Sequence, residues 1–107
     1  KYVGIYFDAG NASLTGRAQD FPEILGKYIK AVHLKNFEET DCAGGLHNFG
    51  DDLFKGVVDF KALFAELDKI GYKGPFTVEM IPFSRLPDLV LPDAALADKM
   101  AKQIAKL

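Results

Sequence analysis

The chain of 107 residues has no tryptophan and one cysteine, Cys42. A lone thiol excludes an internal disulfide framework and any zinc finger built from cysteines. A basic excess is also missing. Lys and Arg number 13 against 15 Asp and Glu, a formal net charge of −2 with a pI near 5.6. Binders of nucleic acid or of anionic membranes need a positive field, so neither partner is expected. No apolar run approaches the ~20 residues of a membrane span, and nothing near the start reads as a signal peptide. Low-complexity tracts, linkers and close repeats are absent too. What is present is a hydrophobic fraction of 49%, enough for the core of one small domain. The expectation is a soluble, cytoplasmic domain. The first residue is Lys1 rather than Met, and an apolar strand follows almost at once, so a portion of a longer protein is expected.

Strand and helix signals alternate along the chain. Tyr2 to Phe7 is an apolar, β-prone run, broken by the turn formers Asp8-Ala9-Gly10-Asn11. After a polar loop, Asp20 reads as the N-cap of a short helix with Pro22 and Glu23 in its first turn. Ile24, Leu25, Tyr28 and Ile29 would share its apolar face. Ala31 to Lys35 reads as a second strand, and Asn36 to Val58 as a long loop. Asp59 would cap a helix on which Phe60, Leu63, Phe64, Leu67 and Ile70 repeat at helical spacing, ended by Gly71. Phe76 to Met80 is the third strand. Asp93 would cap a last helix with Leu96, Ala97, Met100, Ile104 and Leu107 on one face. The order β-α-β-α-β-α implies an α/β fold with parallel strands and right-handed helical crossovers. Three such strands leave two open edges, so a homo-oligomer is expected.

Side-chain parity singles out three residues. Successive strand residues face opposite sides of a sheet. Val3, Ile5 and Phe7 share one face, and Tyr2, Gly4, Tyr6 and Asp8 the other. Val32 and Leu34 lie opposite Ala31, His33 and Lys35. Phe76, Val78 and Met80 lie opposite Thr77 and Glu79. Each strand thus pairs an apolar face with one that carries an ionisable group near its C-terminal end: Asp8, His33, Glu79. In a (β/α)8 barrel the inward residues at those strand ends form the active site. Two carboxylates and an imidazole converging there are hard oxygen and nitrogen ligands for a divalent metal.

The segments YFDAGN, AVHLKN and FTVEM, with VDFKALFAELDKIGYKG between the last two, resemble the xylose-isomerase-like TIM barrels. Within them the chain is most similar to the L-ribulose/L-xylulose 5-phosphate 3-epimerase branch, also known as hexulose-6-phosphate isomerases. The resemblance implies that residues 1–107 are three consecutive βα units, the C-terminal part of a (β/α)8 barrel of about 250 residues. It implies a metal site, for zinc or manganese, in which Asp8, His33 and Glu79 take three of four ligand positions; the first ligand, a Glu, would lie upstream. Glu79 would also be one of two opposed acid/base carboxylates that exchange the proton at C3 of a ketose 5-phosphate through an enediolate. The segment Phe54 to Phe60 is shorter than its family counterpart and lacks the family's acid. An inosose-dehydratase-like or hydroxypyruvate-isomerase-like enzyme of the same superfamily is the alternative, as is a non-catalytic binding module. The apurinic endonuclease branch wants several zinc ions and many histidines, and this chain has 2.

Other residues are candidate substrate ligands. Lys35, on the His33 face, would either contact the reacting oxygens or pair with a neighbouring carboxylate. Asn11 would hydrogen-bond the sugar or serve the turn. Lys55, next to Gly56, would meet a phosphate as a point charge. Arg17 and Arg85, in the loops after the first and third strands, are the further phosphate candidates. His47 reads as a loop residue, and Cys42 is assigned no role.

Overall fold

The chain packs its first apolar run, β1 (Ile5–Asp8), beside the second and the second beside the third. The computed structural model describes residues 3–39, 46–47, 52–79 and 94–107. Tyr2, Cys42, Met80, Arg85 and Asp93 lie outside them. After β1 come α1 (Ala9–Ala12), a 3-10 turn at Ala18–Asp20 and α2 (Phe21–Leu25). A second 3-10 turn, Gly26–Tyr28, leads into β2 (Ile29–Leu34). A small antiparallel ribbon follows, β3 (Glu38–Glu39) with β4 (Leu46–His47), then α3 (Phe60–Lys69). The last unit is β5 (Phe76–Val78) and α4 (Ala94–Ile104). The sheet runs β1-β2-β5, parallel throughout. This is the α/β arrangement of three βα units that the alternating pattern implies. Among the described residues no helix is long and apolar enough to cross a membrane.

One face of the sheet is the core. Phe7, Val32 and Leu34 are buried against Phe60, Leu63 and Leu67 of α3 and Met100 of α4. The helix-period residues Phe64 and Ile70 flank that stripe, and the Phe64 ring stacks on Phe76 with centroids 4.7 Å apart. Asp59 caps α3 as its position predicts, its carboxylate accepting the Ala62 N–H at 2.9 Å. Gly71, at φ +70°, turns the chain out of the helix in a conformation that disfavours a side chain. Gln103 fastens α4 by accepting the Leu53 N–H and donating to Asp52.

Several local expectations are corrected. Asp8-Ala9-Gly10-Asn11 is not a plain turn: Asp8 ends β1 and caps α1. The helix expected from Asp20 stops at Leu25, because Gly26 adopts φ +48°. Ile29 therefore opens β2, and Ile24 and Tyr28 stand exposed instead of lining a helical face. Asp20 makes no side-chain cap, since its carboxylate is taken by Arg17. Val3 precedes β1 and is 90% exposed, so the apolar face of that strand begins at Ile5. On α4, Ala97 faces solvent while Met100 is buried; Leu107 lies beyond the end of that helix and is exposed. The long loop after β2 contains the β3–β4 ribbon and is anchored by a buried side chain, Asn36.

Asn36 organises that segment. Its amide nitrogen donates to the carbonyls of Leu53 (2.8 Å) and Val58 (3.2 Å), and its Oδ1 accepts from the N–H groups of Phe37 (3.0 Å) and Val58 (2.9 Å). Gly56 passes so close that any Cβ there would collide with the Asn36 side chain. Removing Asn36 leaves buried backbone groups without partners. Asn36→Ala is expected to cost about 2–3 kcal/mol in chemical denaturation. A loss under about 0.5 kcal/mol would contradict this account of the loop.

Candidate metal centre

Asp8 is placed by local chemistry. Its extended backbone (φ −112°, ψ 110°) ends β1, while its Oδ1 accepts the Asn11 N–H at 2.8 Å. That bond stops the carboxylate from rotating and leaves Oδ2 facing the next strand. The register partner there is His33. Its Nδ1 lies 3.7 Å from Asp8 Oδ2 and 3.2 Å from Glu79 Oε2. Glu79 follows β5 directly, and its N–H still donates to the Leu34 carbonyl at 3.0 Å, so the ladder holds it level with the other two.

Two aromatic and polar neighbours steady the imidazole. The Tyr6 ring lies against His33 with centroids 4.1 Å apart. Its hydroxyl donates to Thr77 Oγ1 at 2.9 Å, tying β1 to β5 across the open face. Parity placed Tyr6 and Thr77 on this face. That the ring leans on His33 depends on the diagonal offset between β1 and β2, which parity does not contain.

Lys35 completes the cluster. Its residue is 5% exposed, and its ammonium sits 2.9 Å from Asp8 Oδ2 and 3.1 Å from Glu79 Oε2. Of its two expected roles, the ion pair is the one formed, with both carboxylates at once. Burial pulls the Lys35 ammonium down, but its hydrogen bonds to Asp8 and Glu79 and their negative charges outweigh this. The net result is a pKa above the ordinary value. The aliphatic stem crosses α1 where Gly10 has no Cβ; one placed there would fall 2.5 Å from Lys35 Cγ.

Asp8, His33 and Glu79 each offer one ligand atom, all within 4.8 Å of one another. Ligand atoms around an ion with bonds of about 2.0–2.2 Å stand about 3.0–3.5 Å apart. The 3.2 and 3.7 Å separations from His33 approach that spacing without rearrangement. Two carboxylates against one ammonium leave the group net negative. The donor set, its spacing and its charge therefore suit a divalent cation.

The remaining candidates lie elsewhere. Asn11 is exposed and contributes its backbone N–H to Asp8. Arg17 is exposed and forks onto both carboxylate oxygens of Asp20, at 3.0 and 2.9 Å. Lys55 is exposed on a turn closed by its own N–H to the Asp52 carbonyl at 3.1 Å. Neither cation joins the cluster.

The sequence pattern of the family described as "Xylose isomerase-like TIM barrel" matches residues 1–106. An inosose dehydratase from Geobacillus thermodenitrificans (strain NG80-2) is 33% identical over 97 residues, covering 74% of this chain. The chain spans 30% of that relative's length.

The raised Lys35 value has a pH consequence of fixed sign. A pKa raised by folding gives stability that is complete below the ordinary lysine range and fades as pH rises through the folded value. Wild type should therefore exceed Lys35→Met in thermal stability near neutrality, and the gap should narrow above about pH 10.4. Melting curves between about pH 8 and about pH 11.5 check this. A gap that stays constant would show that packing, not charge, is what the substitution removes.

Proposed function

Since the chain belongs to the xylose-isomerase-like TIM-barrel family, we propose that it supplies metal-holding strands of a lyase of the inosose dehydratase kind, removing water from a cyclic polyhydroxy ketone. The observation that carries this reading is the meeting of Asp8, His33 and Glu79 at one end of three parallel strands. Asp8, His33 and Glu79 would hold the ion, and an imidazole-with-carboxylates set suits zinc or manganese. Once bound, such an ion supplies Lewis-acid stabilisation of negative charge on a substrate oxygen.

The chain's own residues account for the rest. The Glu79 side chain is 29% exposed against 16% for Asp8, so it would be the more accessible of the two carboxylates. In this reading Glu79 would take the proton from the carbon next to the ketone and pass it to the departing β-hydroxyl, which leaves as water. Asp8, which accepts the Asn11 N–H and is more enclosed, would hold the ion rather than move a proton. His33, braced by Tyr6, keeps Nδ1 turned toward both carboxylates.

Epimerisation at C3 of a ketose 5-phosphate would begin with the same proton removal and end by returning a proton to the opposite face. The inosose dehydratase likeness favours dehydration.

The test uses the protein expressed from its complete reading frame and loaded with manganese or zinc. Loss of water from an inosose, followed by NMR, is the expected activity. Glu79→Gln should lower turnover by about a hundredfold or more. Deuterium exchange at C3 of a ketose 5-phosphate without any dehydration would return the assignment to the epimerases. Unchanged dehydration by Glu79→Gln would remove Glu79 from the proton transfer.

A further inference from the structure

Two cations are offered the same pair of oxygens. Asp8 Oδ2 and Glu79 Oε2 are the carboxylate atoms facing His33 Nδ1. They are also the atoms held by Lys35 Nζ, at 2.9 and 3.1 Å. The other Asp8 oxygen already accepts the Asn11 N–H. An ion taken up by Asp8, His33 and Glu79 would draw on ligand atoms that an ammonium already engages. The ammonium is also confined. Its side chain is 6% exposed, with its stem against Gly10 and Nζ 5.9 Å from the centre of the Phe37 ring.

We infer that Lys35 is a resident counter-cation, which holds Asp8 and Glu79 together in the metal-free protein and loosens the grip of the same residues on a divalent ion. The inference deepens, and rests on, the metal-centre reading. Its logic is a difference between two states. Without an ion, two partly buried carboxylates repel each other and have lost hydration; the ammonium relieves both penalties. With a dication in place that relief is redundant, and the ammonium becomes a like charge at close range in a poorly screened site. Lys35 therefore favours the metal-free state over the loaded one, and by linkage lowers metal affinity. It is a positioning residue: the cluster is assembled before the ion arrives, at the expense of how tightly the ion is held.

Direct titration with Mn²⁺ tests this on the protein from its complete reading frame, comparing wild type, Lys35→Met and Lys35→Arg. Lys35→Met should bind Mn²⁺ about tenfold tighter or more. It should also melt below wild type without metal, with the deficit shrinking at saturating Mn²⁺. Lys35→Arg, which keeps the charge, should stay near wild-type affinity. A merely structural lysine would give a melting deficit that metal leaves unchanged. Should Lys35→Met fail to fold alone, Mn²⁺ should rescue it; failure with the ion as well would overturn the inference. Equal or weaker Mn²⁺ binding by Lys35→Met would overturn it while leaving the metal centre standing. Absence of Mn²⁺ binding in wild type and in Lys35→Met alike would remove the metal centre itself, and this inference with it.

Discussion

The ladder between β1 and β2 puts Asp8 opposite His33, and the chemistry of the site depends on that pairing. Side chains alternate with a period of two, so a slip of one residue would turn Asp8 toward α3 and Phe7 toward water. The penalty for that slip comes from the other face. Phe7, Val32 and Leu34 are buried there against Leu63 and Leu67. The apolar core thus sets the register, and the register sets the polar site. The ladder is irregular between Ile5 and Tyr6, where Ile5 pairs with Ile29 but Tyr6 with Ala31. Beyond that step the pairing is even, up to the strand ends where the charged residues stand.

The charged group is held by contacts of different kinds. Asp8 is fixed from its own strand end by the cap on α1. Glu79 is fixed by one backbone bond beyond β5. Lys35 reaches the same place from β2, two residues after His33, along a path kept open by Gly10. A buried ammonium with only one carboxylate would gain less against its desolvation. Here it has two, and its raised pKa reports that attraction exceeds the cost of burial. Residues 53–58 are tied to the end of β2 as well, because the Asn36 amide bonds the backbone of Leu53 and Val58. The polar end of the sheet is therefore built into the fold rather than laid on its surface.

Family membership and site geometry are separate arguments that meet at these residues. The family pattern runs through nearly the whole chain, whereas the chemistry rests on four side chains at one end of the sheet. Fold alone does not assign a reaction, since barrels of one type host many. The choice between dehydration and epimerisation turns on which substrate groups find partners. Arg17 pairs with the neighbouring carboxylate of Asp20, while the turn at Lys55 is closed by its backbone N–H and leaves its exposed side chain out of that bond.

The sequence by itself determined the alternation of strands and helices, the α3 stripe of Phe60, Leu63 and Leu67, the Asp59 cap, and the common face of Asp8, His33 and Glu79. All follow from short-range periodicity and from preferences of single residue types, which act within a few residues of the chain. Tertiary structure decided where α2 ends, since the φ of Gly26 depends on how the chain must turn to bring Ile29 into the sheet. It also decided that Asn36 anchors a loop, that Tyr6 leans on His33, and that Lys35 joins two carboxylates. The Lys35 contacts span 27 residues to Asp8 and 44 to Glu79. No local pattern encodes a distance of that kind. It appears only when three strands are laid side by side, and the low polarity around the pair then makes the ammonium and the carboxylates choose one another over water.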